Sequence, residues 1–152
     1  MIFPHLKKYF PLYWEIANTA AKQSVCTRHK VGAVVVTPVG MISVGFNGTP
    51  SGYHTNECET DEWVNNNAPL QRSRRRKTDP AVIHAERNAI DKMTRQGVST
   101  HGCLLFVTRA PCFECSKAIC GLGFSRIYYQ NLHDDMSGID LLQKLGIHVE
   151  RA

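Results

Sequence analysis

The sequence has no apolar run long enough to cross a membrane. Hydrophobic residues make up 43% of its 152 residues. The longest candidate run, 31–44, is interrupted by Thr37, Pro38 and Gly40, whereas a spanning helix needs about 20 consecutive apolar residues. Residues 1–10 also lack the basic-then-apolar order of a secretory signal. We therefore expect a cytoplasmic protein with no membrane partner.

The sequence also lacks internal repeats at a fixed period and low-complexity tracts. Its length is the usual size of one domain built around one core, and we predict a single domain over residues 1–152. The chain has six cysteines. Because thiols stay reduced in the cytosol, this number favours metal binding or buried thiols over disulfides.

Positive charge is unevenly distributed along the chain. The net charge is +5, and residues 72–77 alone contribute five cations in six positions. One interpretation of this basic run is a solvated, mobile loop. The other is a surface that attracts the phosphates of a nucleotide or a nucleic acid. The sequence leaves both open.

The order of apolar segments predicts an α/β fold. Strands separated by helices indicate parallel pairing, and the turn at 37–40 joins two strands into a hairpin. We expect a three-layer α/β/α architecture with a mixed sheet of about five strands, and an insert at about 48–80 with one possible short helix near 57–65. The other predicted helices are 11–24, 84–96, 111–122 and 140–145, and the strands are 31–36, 41–46, 103–108, 126–129 and 147–149.

Two predicted helix starts carry metal-binding residue types. Cys112 and Cys115 follow a strand, and His84 and Glu86 begin another helix. A catalytic zinc takes three protein ligands and keeps a fourth position open, which His84, Cys112 and Cys115 would satisfy. A helix N-terminus also favours the thiolate form of cysteine. Glu86 would then lie beside the metal without binding it and would carry protons.

Two other kinds of site also contain a Cys-x-x-Cys pair. The chemistry of a redox dithiol does not require the His-x-Glu pair at 84–86. A closed structural zinc site would need a fourth ligand of equal standing, for which His101, His133 and Cys120 are candidates by residue type only. The sequence alone favours the catalytic zinc site over both.

Four segments together make the sequence resemble the zinc-dependent nucleotide and nucleobase deaminases, most closely the deoxycytidylate (dCMP) deaminases of bacteria and phages. They are KVGAV at 30–34, GFNGTPSG at 45–52, HAERNAI at 84–90 and PCFECSKAI at 111–119. The resemblance implies the cytidine deaminase-like fold and hydrolysis of dCMP to dUMP, the precursor of thymidylate. Zinc would activate water and Glu86 would move the protons. Phe46 departs from the pattern, which has tyrosine there.

The resemblance also implies contacts to the substrate. Asn47 matches a residue that hydrogen-bonds the sugar or base, and the Ala110 carbonyl matches a group beside the departing amine. Their alternatives are a turn residue and simple packing. Arg28 and Lys30 are candidates for the 5′-phosphate, as are members of the basic run, with ordinary surface charges as the alternative.

Regulation and assembly are further implications of the resemblance. Such enzymes are commonly homo-hexamers activated by dCTP and inhibited by dTTP, with Mg²⁺ on the triphosphate. The effector site would involve Phe46, Gly48 and Arg95. Cys26 and Cys58 fall near two cysteines that hold a second zinc in some phage relatives. No histidine lies between Cys58 and His84, so buried or free thiols are favoured there.

Three rival functions remain on the same evidence. A tRNA adenosine deaminase would use the basic run to bind RNA, but that family usually has methionine where Glu114 precedes Cys115, and a shorter insert. A cytidine deaminase carries different residues around its zinc motifs. A non-catalytic nucleotide-binding module would have no use for Glu86. We therefore expect dCMP deamination and do not expect nucleic acid as a partner.

Overall fold

The computed structural model describes residues 4–65 and 72–152, so residues 66–71 of the expected insert lie outside the described residues. None of the helices in these two ranges is long and apolar enough to cross a membrane. The helices are α1 Pro4–Lys7, α2 Phe10–Lys22, α3 Ala85–Arg95, α4 Phe113–Cys120 and α5 Ser137–Lys144. The strands are β1 Gly32–Val36, β2 Ile42–Phe46, β3 Glu59–Asn65, β4 Arg72–Thr78, β5 Leu104–Arg109, β6 Arg126–Asn131 and β7 Val149–Arg151.

Five of the strands form one mixed sheet in the order β2-β1-β5-β6-β7. Strand β1 is antiparallel to both β2 and β5. Strands β5, β6 and β7 are mutually parallel because a helix connects each to the next. The predicted five-stranded mixed sheet is therefore confirmed.

The two faces of this sheet are covered by different helices. Because side chains alternate along a strand, each buried strand contributes to both faces. One face packs against α1 and α2 through Val34, Val36, Leu104, Phe106 and Tyr128. The other packs against α3, α4 and α5 through Ala33, Val35, Leu105, Val107 and Ile127. The predicted α/β/α layering is confirmed.

Close packing of α3 against β2 depends on Gly45. A Cβ atom at Gly45 would lie 2.5 Å from the backbone nitrogen of Ala89 and 3.0 Å from its Cβ. On the same strand the Ser43 hydroxyl donates a hydrogen bond of 2.7 Å to the Ala89 carbonyl. These contacts fix α3, and with it the residues at its N-terminus.

The insert contains an antiparallel pair of strands, β3 and β4. The helix predicted near 57–65 is wrong, and so is the interpretation of 72–77 as a mobile loop. Acidic side chains on β3 face basic ones on β4: Asp61 pairs with Arg74 at 3.2 Å and Glu62 with Lys77 at 3.8 Å. Local periodicity could not reveal this pairing, because each strand is specified by its partner.

Cys26 and Cys58 form a disulfide, with their Cα atoms 5.0 Å apart. The expectation that the cysteines avoid disulfides is therefore wrong for this pair, and the bond leaves neither sulfur free as a thiolate ligand. Cysteine count and compartment could not show that folding brings the start of β3 next to the loop after α2. The pair is buried with Val82 in a small cluster of its own.

Replacement of both Cys26 and Cys58 by serine should lower the free energy of unfolding by about 3 to 4 kcal/mol, because a cross-link across 32 positions restricts the unfolded chain by that amount. Urea unfolding of the double variant measures this loss. The variant is preferable to a reducing agent, since added thiols compete for zinc. A Cys120→Ser control, at an exposed free cysteine, should unfold like the wild type. Equal midpoints for all three proteins would contradict the prediction.

Candidate active site

The N-termini of α3 and α4 bring the predicted zinc ligands together. His84 is the N-cap of α3, and Cys112 is the N-cap of α4. The Cys112 sulfur accepts a hydrogen bond of 3.4 Å from the backbone N–H of Cys115, one turn into α4. Both helix starts therefore point their free N–H groups and the positive ends of their dipoles at this site, which stabilises thiolates there.

The three ligand atoms have the spacing of a zinc site. His84 Nδ1 lies 3.5 Å from Cys112 Sγ and 3.3 Å from Cys115 Sγ, and all three atoms fall within 4.8 Å of one another. Tetrahedral zinc with ordinary Zn–S and Zn–N bonds holds such atoms about 3.6 Å apart. The residues present therefore fit the metal.

The fourth coordination position has no protein ligand among the described residues. In the two described ranges, the group of His84, Cys112 and Cys115 does not extend to His101, His133 or Cys120. A set of three donors with one open position is the arrangement of catalytic zinc, whereas a structural zinc is enclosed by four protein ligands. The arrangement argues against the closed structural site.

When no metal is bound, Cys112 and Cys115 share a single proton. The Cys115 thiol donates to Cys112 and, with the nearby His84, lowers the pKa of Cys112 to about 3. The same hydrogen bond and burial raise the pKa of Cys115. Cys112 is thus a thiolate at neutral pH, which is the form that coordinates zinc.

Glu86 lies beside this group in the first turn of α3, with its side chain buried and the residue only 4% exposed. Its Oε2 lies 3.8 Å from Cys115 Sγ. Burial raises the pKa of Glu86 above that of an ordinary glutamate. A carboxyl group in such an environment can take up a proton and release it again close to neutral pH.

A cavity opens above His84, Glu86 and Cys112, and Asn47 and Ala110 line it. The Asn47 amide is engaged with nearby backbone: Oδ1 accepts from Val31 N–H at 2.9 Å and Nδ2 donates to the His29 carbonyl at 2.8 Å. It therefore fixes the loop before β1 in this structure. The role of Asn47 at the sugar or base stays a prediction.

Ala110 is buried directly after β5, beside the last residue of β6. Its N–H donates to the Asn131 carbonyl at 2.8 Å, and the Asn131 amide donates to the Thr108 carbonyl at 2.7 Å. These bonds hold Ala110 at the cavity wall, immediately before the Pro111–Cys112 turn. Its predicted role beside the departing amine remains a prediction.

The two cations predicted for the phosphate are not among the residues that line this cavity. Arg28 is exposed, and its backbone N–H donates to Glu59 Oε1 at 2.8 Å. Lys30 is also exposed and donates to the Ser24 carbonyl. Their contact with substrate stays a prediction.

The residues predicted for the effector are spread over β2, the segment after it and α3. The exposed Phe46 ring lies 5.8 Å from Lys92 Nζ. Gly48 pairs with Ile83 in an isolated β-bridge. Arg95 is exposed at the last turn of α3. Their joint role stays a prediction.

Sequence reasoning missed His29, Arg109 and His133 as cavity residues. Arg109 had a usable signal, because it directly follows the predicted strand 103–108 and lies two residues before Pro111, and ligand sites form at the carboxyl ends of such strands. His29 and His133 lie in loops far apart in the sequence. No local pattern indicates that these two loops meet.

Comparison with known proteins identifies the family. The family model for the cytidine and deoxycytidylate deaminase zinc-binding region matches residues 11–131. The deoxycytidylate deaminase of Enterobacteria phage T4 is 31% identical over 166 residues, covering 89% of this chain and 85% of that protein. That of Schizosaccharomyces pombe is 30% identical over 140 residues, covering 91% of this chain but 42% of its own length.

A solved structure of a dCMP deaminase matches this chain over its full length. The dCMP deaminase from cyanophage S-TIM5, in complex with dCMP and dUMP, superimposes with a TM-score of 0.81 and 40% sequence identity, covering 100% of both chains. The matched region contains both helix starts that carry the ligand atoms. The chain therefore belongs to the cytidine and deoxycytidylate deaminase family.

Proposed function

We propose that this protein deaminates dCMP to dUMP and ammonia and so supplies the precursor of thymidylate. One observation carries the proposal: the His84, Cys112 and Cys115 ligand atoms cluster within 4.8 Å of one another, and the buried Glu86 lines the same cavity as His84 and Cys112. The glutamate is essential to this argument, because a zinc that only stabilised the fold would not need a carboxyl group beside its open position.

Glu86 performs the proton transfers in this proposal. His84, Cys112 and Cys115 would hold zinc, which would lower the pKa of a bound water molecule to about 7 and so supply a nucleophile at neutral pH. Glu86 accepts a proton from this water molecule and delivers it to N3 of the cytosine ring. It then assists the loss of ammonia from C4. Its buried position excludes bulk water from these transfers.

The neighbouring groups orient the base. The Ala110 carbonyl is proposed to accept from the C4 amino group, which distinguishes cytosine from uracil because the product has no amino group to donate. Asn47 is proposed to hold the sugar while keeping the loop before β1 in place. Both residues already line the cavity.

A small nucleotide is better supported than RNA as the substrate. The cyanophage relative was solved with dCMP and dUMP. The basic strand β4, which would be the surface for RNA, shares its charge with β3 through the Arg74–Asp61 and Lys77–Glu62 pairs. Paired cations are less available for counterion release on RNA binding.

Regulation and assembly are proposed from the resemblance, and one surface feature supports the assembly. The protein would be a homo-hexamer, activated by dCTP and inhibited by dTTP, with Mg²⁺ bound to the effector triphosphate and with Phe46, Gly48 and Arg95 near the effector. An exposed apolar groove between α2 and β2, which includes Leu12, Ile16 and Phe46, supports a contact between subunits. Apolar grooves of this kind are commonly covered in assemblies.

Ammonia release from zinc-replete protein tests the activity. We expect turnover of dCMP and much slower turnover of cytidine and of an adenosine-containing RNA hairpin, each measured with and without dCTP and Mg²⁺. Absence of dCMP turnover in every condition would refute the proposal, and turnover of the RNA hairpin would establish the rival.

The effector prediction has its own measurement. At a dCMP concentration below KM, dCTP with Mg²⁺ should raise the initial rate and dTTP with Mg²⁺ should lower it. Sedimentation in the presence and absence of each nucleotide should show a hexamer. Rates that ignore both nucleotides would contradict the regulatory part of the proposal while leaving the deaminase part intact.

A further inference from the structure

A cationic cluster lies on the cavity wall and takes no part in the zinc site. It consists of Arg109, at the end of β5, His29, in the loop before β1, and His133, in the loop after β6. Arg109 Nη1 lies 3.0 Å from His29 Nδ1, and its Nη2 lies 3.3 Å from Asp134 Oδ1. The Arg109 side chain is only 17% exposed, so this cation is held largely out of solvent.

The hydrogen bonds of the cluster determine which atoms remain available as donors. A guanidinium group can only donate, so His29 Nδ1 accepts from Arg109 and the His29 proton is on Nε2. The backbone N–H of Asp135 donates to His133 Nδ1 at 3.0 Å, which places the proton of that ring on Nε2 as well. Arg109 and both imidazoles therefore offer N–H donors at the cavity wall.

Positive charge in the cluster is incompletely balanced. The carboxylate facing it, Asp134, has a side chain that is 77% exposed, so water screens its charge. Burial lowers the pKa of His29, and the positive charges of Arg109 and Arg28 lower it further. A partly buried cation surrounded by N–H donors is a suitable site for an anion, especially one with several acceptor oxygens.

We propose that Arg109, with His29 and His133, binds the 5′-phosphate of the nucleotide and so determines selection of the monophosphate over the free nucleoside. The inference rests on the proposed function, since it names a contact to the same substrate in the same cavity. A guanidinium fork matches two phosphate oxygens at once, which a lysine cannot do. Arg28 and Lys30 then contribute from outside the cavity at most.

Kinetics with paired substrates tests the assignment. Arg109→Met keeps the length of the side chain and removes its charge and donors. We expect kcat/KM for dCMP to fall roughly 10- to 100-fold, mainly through KM, as for loss of a hydrogen bond to a charged group. Turnover of deoxycytidine should change little, so the preference for dCMP should shrink by the same factor. Arg109→Lys should restore part of it.

The chain offers a matched control in another Arg–His pair. Arg126 Nη1 lies 2.7 Å from His148 Nε2. Arg126 begins β6, at the end of the sheet opposite Arg109, because β5 and β6 are parallel. The Arg126→Met protein should therefore keep the wild-type preference. Equal losses on dCMP and deoxycytidine in Arg109→Met would indicate a structural role and overturn the proposal.

Equilibrium binding separates this proposal from the proposed activity. Calorimetry with dUMP and deoxyuridine needs no turnover. We expect dUMP to bind wild type and Arg126→Met more tightly than deoxyuridine, and Arg109→Met to bind both alike. If dCMP is not deaminated but dUMP binding depends on Arg109, the proposed activity is refuted and the proposed phosphate site is supported. If dCMP is deaminated and dUMP binding ignores Arg109, or if dUMP does not bind, the phosphate site is refuted.

Discussion

Replacement of Glu86 by glutamine should lower kcat for dCMP by about two to four orders of magnitude, the range attributed to one general acid–base group. The amide keeps the shape of the carboxyl group and so preserves the packing of residue 86 beside Cys115, whose Sγ lies 3.8 Å from Glu86 Oε2. It cannot shuttle a proton. KM should change much less than kcat, because Glu86 acts on the transition state.

The structure provides a control for this substitution. Glu114 lies in the first turn of α4, where its carboxylate pairs with Lys117 at 3.0 Å and its side chain is 76% exposed. Glu114→Gln makes the same carboxyl-to-amide change close to the same proposed metal ligands, but Glu114 does not line the cavity. This variant should retain wild-type kcat. Zinc content should be equal in all three proteins. A Glu86→Gln enzyme with more than about a tenth of the wild-type kcat would show that Glu86 is not the general acid–base group.

The second large effect is expected at the metal. Cys115→Ala should abolish stoichiometric zinc binding and with it all dCMP turnover, since two ligands hold zinc far less tightly than three. The midpoint of thermal unfolding should also become insensitive to added zinc, because a metal stabilises the folded state only as far as it binds there. Zinc content after gel filtration, measured by atomic emission, gives the direct answer.

Cys120 is the matched control for this substitution because it ends the same helix but its thiol is exposed. Its sulfur donates to the Lys117 carbonyl rather than to any residue of the zinc site. Cys120→Ala should keep zinc and activity. If Cys115→Ala retained one zinc per chain, Cys115 would not be a ligand, and the proposed set of three protein ligands with one open position would be wrong.

Two features of the site followed from residue types alone. His84, Cys112 and Cys115 are predicted as zinc ligands because zinc coordination depends on which atoms are offered, and those atoms are fixed by the sequence. Glu86 followed from the need for a proton carrier beside an open metal position. The structure adds their convergence, with ligand atoms within 4.8 Å of one another at two helix starts.

The wall of the cavity could not be derived in this way. His29 and Arg109 are 80 positions apart in sequence yet lie in hydrogen-bond contact. The cations chosen from sequence, Arg28 and Lys30, flank His29, but neither lines the cavity. The side chains next to a partly buried loop residue such as His29 can point into solvent, and their charge alone does not show which of them do.

The sequence by itself determined the α/β class and the hairpin of β1 and β2, and it supplied the candidate zinc ligands, because periodicity and residue chemistry are local properties. Only the tertiary structure decided the β3–β4 pairing, the Cys26–Cys58 bond and the cluster at Arg109. Each of these depends on two segments meeting, and their contact is set by how α2, the sheet and the insert pack together. Such contacts contribute to stability only after folding has brought the segments together, so no single segment carries their signal.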